Sequence, residues 1–153
     1  MIFTLTAGTP YYYWVKSTNA SGTSAFSTSA IGQVLFGPDV RVNGEAGPVT
    51  VSEGSELIVT VSINPASYAG DPMDWWVAAI APSGLYYQNA SMAWTTTATP
   101  VYQGGLFALQ SYVVVDTTVL SAGTYTFYFG VDTLNGVLDP DVVYDSATVI
   151  IVP

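Results

Sequence analysis

Residues 120–132, L-S-A-G-T-Y-T-F-Y-F-G-V-D, constrain the fold of this chain more than any other stretch. Tyr125, Phe127, Phe129 and Val131 alternate with Thr126, Tyr128, Gly130 and Asp132. A period of two puts the first set on one face and the second on the other, which predicts a half-buried antiparallel strand entered through a Gly-Thr turn. Burying each of the large side chains stabilises by about 1.5–3 kcal/mol. That face is therefore expected to wall a β-sandwich core.

The same period recurs elsewhere. In residues 56–64, Leu57, Val59, Val61 and Ile63 point inward and Ile58, Thr60 and Ser62 outward. Residues 74–81, D-W-W-V-A-A-I-A, read as a strand buried on at least one face, turned back by Pro82-Ser83-Gly84 into Leu85-Tyr86-Tyr87. Shorter strands are expected at Val40 and Val42 and at Val49-Thr50-Val51, a strand region over 106–115, and a last strand from about 142 to 152. Residues 89–100 are Thr-rich and read as irregular. Ahead of this series, Tyr11, Tyr13 and Val15 alternate with Tyr12, Trp14 and Lys16. A loop at Asn19-Ala20-Ser21-Gly22 and a second run over 25–36 complete a strand pair. Gly37-Pro38 marks the expected junction, giving a strand pair at 1–37 and a sandwich at 38–153.

Two resemblances follow. Residues 5–19, L-T-A-G-T-P-Y-Y-Y-W-V-K-S-T-N, followed by Gly22-Thr23-Ser24, resemble the last strands of a fibronectin type III domain. In that family a Leu and a Gly-Thr precede a corner tyrosine, which carries over to Tyr11; the match covers the final third of such a domain. Residues 38–153, with about seven strands, a Trp in the third and a tyrosine-type corner before the sixth, resemble an immunoglobulin-like sandwich. The family's disulfide is missing, and Trp75 is the candidate for its buried tryptophan. Leu-x-Ala-Gly-Thr occurs at residues 5–9 and again at 120–124, one sandwich unit apart. The fold class implied is an all-β, immunoglobulin-like or fibronectin III-like antiparallel β-sandwich with an N-terminal strand pair. The upstream strands of the partial domain are expected to be absent or to lie outside this sequence.

Charge narrows the function classes. Eleven acids stand against Lys16 and Arg41, a net charge of −9. Two scattered cations cannot displace phosphate counterions, which excludes nucleic acid and argues against an anionic membrane surface. No apolar run reaches the roughly 18 residues of a membrane helix, so no membrane insertion is expected. Residues 1–3 lack the basic start of a signal peptide. With no Cys and no His, disulfides and thiolate metal sites are excluded. Only 8% of residues are charged, against about 25% in a typical soluble domain. A surface of Ser, Thr, Asn, Gln, Gly and Tyr favours a secreted, cell-surface protein and close self-association.

No enzyme is expected. Nucleophilic catalysis by Ser or Thr needs a base, and Lys16 stands alone on a strand. The acids Asp39, Glu45, Glu53, Glu56, Asp71, Asp74, Asp116, Asp132, Asp139, Asp141 and Asp145 fall mostly in turns. Asp132, Asp139, Asp141 and Asp145 flank one loop, and Asp71 and Asp74 another. Together they offer a candidate calcium site without the spacing of a known calcium loop. Asn19-Ala20-Ser21 and Asn89-Ala90-Ser91 match the glycosylation acceptor pattern, and the Thr run over 95–100 is a candidate for O-linked sugar.

Three functional readings remain, the blandest being a passive spacer domain in a long repeat protein. A lone hairpin is marginal in water, yet this one carries Phe3, Tyr11, Tyr12, Tyr13, Trp14, Phe26, Ile31, Leu35 and Phe36. It packs on its own sandwich, or belongs to a longer chain, or lodges on a sheet edge or groove of a neighbouring copy. The last builds a head-to-tail, pilus-like filament of an adhesive or structural kind, and a well-ordered Met1 would favour it. The alternative is a polysaccharide-binding accessory module of a larger secreted protein. It would use Trp76, Tyr86, Tyr87, Trp94 and Tyr102 as a sugar-stacking strip.

Overall fold

Alternating β-branched and aromatic residues leave this chain little choice but strands, and the strands sort by which face they must hide. The computed structural model describes residues 10–33 and 36–153. The N-terminal part is a ribbon of β1 (Pro10–Tyr13), β2 (Thr18–Asn19), β3 (Gly22–Thr23) and β4 (Ala30–Gln33). β1 pairs antiparallel with β4, Tyr12 opposite Ile31, and β2 with β3, Thr18 opposite Thr23. Between the pairs, the Ser27 amide donates to Val15 O and the Ser24 amide to Ser17 O, both about 3 Å. The expected hairpin, turning at Ala20-Ser21, is present.

The rest is an all-β sandwich. Its strands are β5 (Gly37–Val42), β6 (Val49–Ser52), β7 (Leu57–Asn64), β8 (Pro72–Ala81), β9 (Gly84–Gln88), β10 (Trp94–Thr95), β11 (Tyr102–Gly105), β12 (Leu109–Thr117), β13 (Gly123–Thr133) and β14 (Val143–Val152). One layer runs β10-β9-β8-β13-β14-β6, with β11 pairing the first half of β8. The other layer is only three strands, β12-β7-β5. All pairings are antiparallel except β6 along β14.

β7 alternates buried and half-buried without exception, Leu57, Val59, Val61 and Ile63 inward. They meet Tyr125, Phe127, Phe129 and Val131 of β13, all buried as expected. Trp75 is buried at the centre, its ring 4.7 Å from Phe107 and 5.8 Å from Phe129. The Tyr125 hydroxyl donates to Ser121 O at 3.0 Å, pinning the turn into β13.

Two expectations need correction, and a third is sharpened. Gly37-Pro38, the expected junction, is itself the start of β5, paired with Asn64 and Ile63. Proline is tolerated there because β5 is an edge strand and needs no amide on its free side. The strand region over 106–115 starts only at Leu109, and the Gly-rich segment ahead of it is β11, which crosses to the other sheet. Gly130 and Asp132, expected outside, are buried, because the outer face of β13 is partly covered by the loop over residues 134–142.

Candidate functional site

The site is built from two features, an uncovered aromatic ribbon and an open side of the sandwich. None of residues 11–32 of the ribbon is buried. Tyr12, Tyr13, Trp14, Val15, Phe26 and Ile31 expose 47–70% of their surface. Strand alternation puts Tyr12 and Trp14 on one face, where their rings stack at 6.2 Å, and the Lys16 ammonium sits 4.1 Å over the Phe26 ring. Tyr13 lies across Gly32, where a β-carbon would come within 2.9 Å of its ring. Glycine thus lets the ring lie flat along the ribbon.

The open side arises from unequal layers. The three-stranded sheet does not reach across the wide one, so β9 and β10 extend beyond β12. Between them lies a cavity of about 580 Å³, lined by Ala79, Ala81, Tyr86, Trp94, Phe127, Val113 and Val115 among others. A hollow of about 240 Å³ continues it past Trp75, Tyr102 and Phe107. Gln88, 3% exposed, lies at the boundary of both. Its Nε2 donates across the gap to Val114 O at 3.3 Å and to Met92 O at 3.4 Å. Its Oε1, and Trp75 Nε1, are buried and find no partner among the described residues.

Of the expected contact residues, Tyr12, Tyr13, Trp14, Phe26 and Ile31 are exposed on the ribbon and Tyr11 is half-buried. Phe3 and Leu35 lie outside the described residues, as do Met1 and the first Leu-x-Ala-Gly-Thr copy. Phe36 departs from the expectation. Its ring is 5.0 Å from Tyr68 and packs against the sandwich core, because β5 draws it inward.

The five aromatics expected as a sugar strip do not share a face. Trp76 is 3% exposed on the outer face, its Nε1 donating to Asp132 Oδ1 at 2.8 Å. Tyr87 lies on the same face, whereas Tyr86 and Trp94 line the cavity between the sheets. Tyr102 is edge-on to Trp75 at 5.4 Å. Cross-strand register separates them: Tyr87 faces Ala78 and Tyr86 faces Ala79, and successive residues point to opposite sides.

The loop acids are engaged separately. Asp74 is fully buried, and Oδ2 accepts the amides of Asn135, at 2.9 Å, and Gly136, while Oδ1 accepts Gln103 Nε2 at 2.7 Å. Asp132, opposite Asp74 in the ladder, accepts the Asp139 amide at 2.8 Å through Oδ2. Asp139 accepts Asn135 Nδ2, and Asp145 accepts the Val40 amide on another strand. Asp141 is exposed, as is Asp71. Among the described residues no three acids gather as a metal site would need. Burial raises the Asp132 pKa from the ordinary carboxylate value, against the lowering effect of its two donors.

Asn19 and Asn89 each close a turn on their own acceptor pattern, Asn19 Oδ1 accepting the Ser21 amide and Asn89 Oδ1 the Ser91 amide. The open groove itself was missed by sequence reasoning; its one legible trace was the Gly104-Gly105 break before β12. No protein-family model matches the chain, and no curated protein matches it.

Proposed function

We propose that the chain is an extracellular structural subunit that assembles with copies of itself into a cell-surface fibre, the N-terminal ribbon being its contact with the next copy. The observation that carries this reading is the ribbon's exposed aromatic surface. Covering an aromatic side chain removes about 150–250 Å² from water. Tyr12, Tyr13, Trp14 and Phe26 are roughly half exposed. Covering them fully would remove about 400 Å², worth about 10 kcal/mol at ~25 cal/mol per Å². That is comparable to the ~4–15 kcal/mol lost when two molecules associate. Val15 and Ile31, more exposed still, add to the favourable side.

The immunoglobulin-like reading belongs to the same proposal. The wide sheet has the order of the strands called G, F, C, C′ and C″ in variable-type domains, in β14, β13, β8, β9 and β10. β5, β7 and β12 stand where A, B and E would, and among the described residues no strand takes the place of D beside β12. The Tyr125–Ser121 bond supports the corner tyrosine of that fold, and buried Trp75 its core tryptophan. Scarcity of charge and absence of cysteine support a location outside the cell.

The test is a full-length Tyr12→Ser, Trp14→Ser, Ile31→Ser triple variant. All three positions are exposed, so circular dichroism and thermal melting should stay close to wild type. Sedimentation velocity should show large assemblies for wild type and none for the variant. Equal assembly by both would end the proposal.

A further inference from the structure

We infer that the groove beside β12 is the acceptor for the ribbon of a second copy, which enters as an added strand on the free edge of β12. This rests on the self-assembly reading and says where the contact is made.

The groove has the features such a strand requires. Among the described residues β12 pairs with β7 on one side only, so its other edge faces the opening. An edge of this kind is a template for another chain, which gains main-chain hydrogen bonds from the edge and side-chain pockets from the groove. The walls supply the pockets, in a cavity of about 580 Å³ lined mostly by apolar side chains. Gln88, which lines both hollows, and Trp75, which lines the smaller one, each keep a buried polar atom without a partner among the described residues, where such groups are normally satisfied. Lengths agree as well: β12 has 9 residues, about 30 Å at ~3.3 Å per residue, and the first arm of the ribbon, residues 10–19, has the same reach.

Charge selects the ribbon as occupant. All 11 acids and Arg41 lie in the sandwich, and Arg41 is already paired with Asp39 at 2.9 Å. Two sandwiches therefore repel each other. The ribbon, residues 10–33, has no acid and carries Lys16. The single charged residue lining the groove is Asp116. Seating the Tyr12 and Trp14 face over the groove brings Lys16 toward that carboxylate and the rings toward the apolar floor.

The test uses full-length variants at low salt, read by the concentration at which assembly begins. Lys16→Glu and Asp116→Lys should each raise it, about fivefold if the pair is exposed, and the double variant should restore it. Val113→Arg, at an exposed position on the groove wall, should abolish assembly. Ile80→Arg, equally exposed but on the outer face, should not. Should Val113→Arg fail to fold, the charge reversal and its rescue decide alone. If the Tyr12, Trp14, Ile31 variant stops assembly but Val113→Arg and the charge reversals do not, the groove is the wrong acceptor and self-assembly through the ribbon stands. Loss with Ile80→Arg alone moves the acceptor to the outer face and overturns the inference. If neither ribbon nor groove variants matter, both readings fall. A wild-type chain that stays monomeric while Val113→Arg loosens its own ribbon to protease also overturns it, since the occupant is then the same chain.

Discussion

Replacing Asp74 by Ala should destabilise the sandwich by about 3 kcal/mol, given that hydrogen bonds to a charged group contribute roughly 1.5–3 kcal/mol each. The carboxylate is fully buried and holds three donors, the amides of Asn135 and Gly136 and the side chain of Gln103. Three full bonds would give a larger loss. Asn135 and Gly136 are exposed, however, so their amides regain water when the acceptor is removed. Loss of a buried charge returns part of its desolvation cost. Asp74→Asn should cost only about 1 kcal/mol, because its oxygen can keep both backbone donors while Gln103 turns its amide to accept from the new nitrogen. Urea unfolding measures the difference. With a slope of about 1–3 kcal/mol per molar, the Ala variant's midpoint should fall by roughly 1–3 M and the Asn variant's by about a third of that. Hydrogen exchange adds a local readout, in which the Asn135 and Gly136 amides lose protection in Asp74→Ala ahead of the strands. A midpoint within error of wild type, with both amides still protected, would refute the idea that this carboxylate holds the loop.

Two further outcomes follow from buried positions. Because burial raises the Asp132 pKa, the native state holds its proton more tightly than the unfolded chain. Stability should therefore fall as pH rises from the ordinary carboxylate value, about 3.9, through the raised native one, and then level off; thermal melts of Asp132→Asn should lack this component. Gly130→Ala should lower stability by about 1–3 kcal/mol through overpacking, since its β-carbon would come within 2.8 Å of Tyr144 Cβ and 3.0 Å of Val143 O.

Much of the fold was legible because the strongest periodic segments are those whose two faces meet different surroundings. β7 and the inward set of β13 are read directly from alternation. The same rule failed for Gly130 and Asp132, since a loop covers what alternation assigns to solvent. A different signal put the junction at Gly37-Pro38: Pro and Gly are punctuation in most contexts but here open an edge strand, which draws Phe36 against the core. β11 has four residues, two of them glycine, and draws its pairing from β8 rather than from its own pattern. The candidate site was half legible. An aromatic hairpin with nothing local to cover it is visible in Tyr11-Tyr12-Tyr13-Trp14. The groove is not, because it is made by an edge of β12 that no strand among the described residues covers and by residues far apart, such as Gln88 and Val114. Likewise Trp76 looks like a sugar platform until its bond to Asp132 places it under the loop.

Negative-stain microscopy of the purified wild-type chain over a rising concentration series decides whether it polymerises. Fibres of repeating sandwich-sized beads are expected above a threshold concentration. Isolated single particles at every concentration, with residues 10–33 protected from protease, would contradict that expectation.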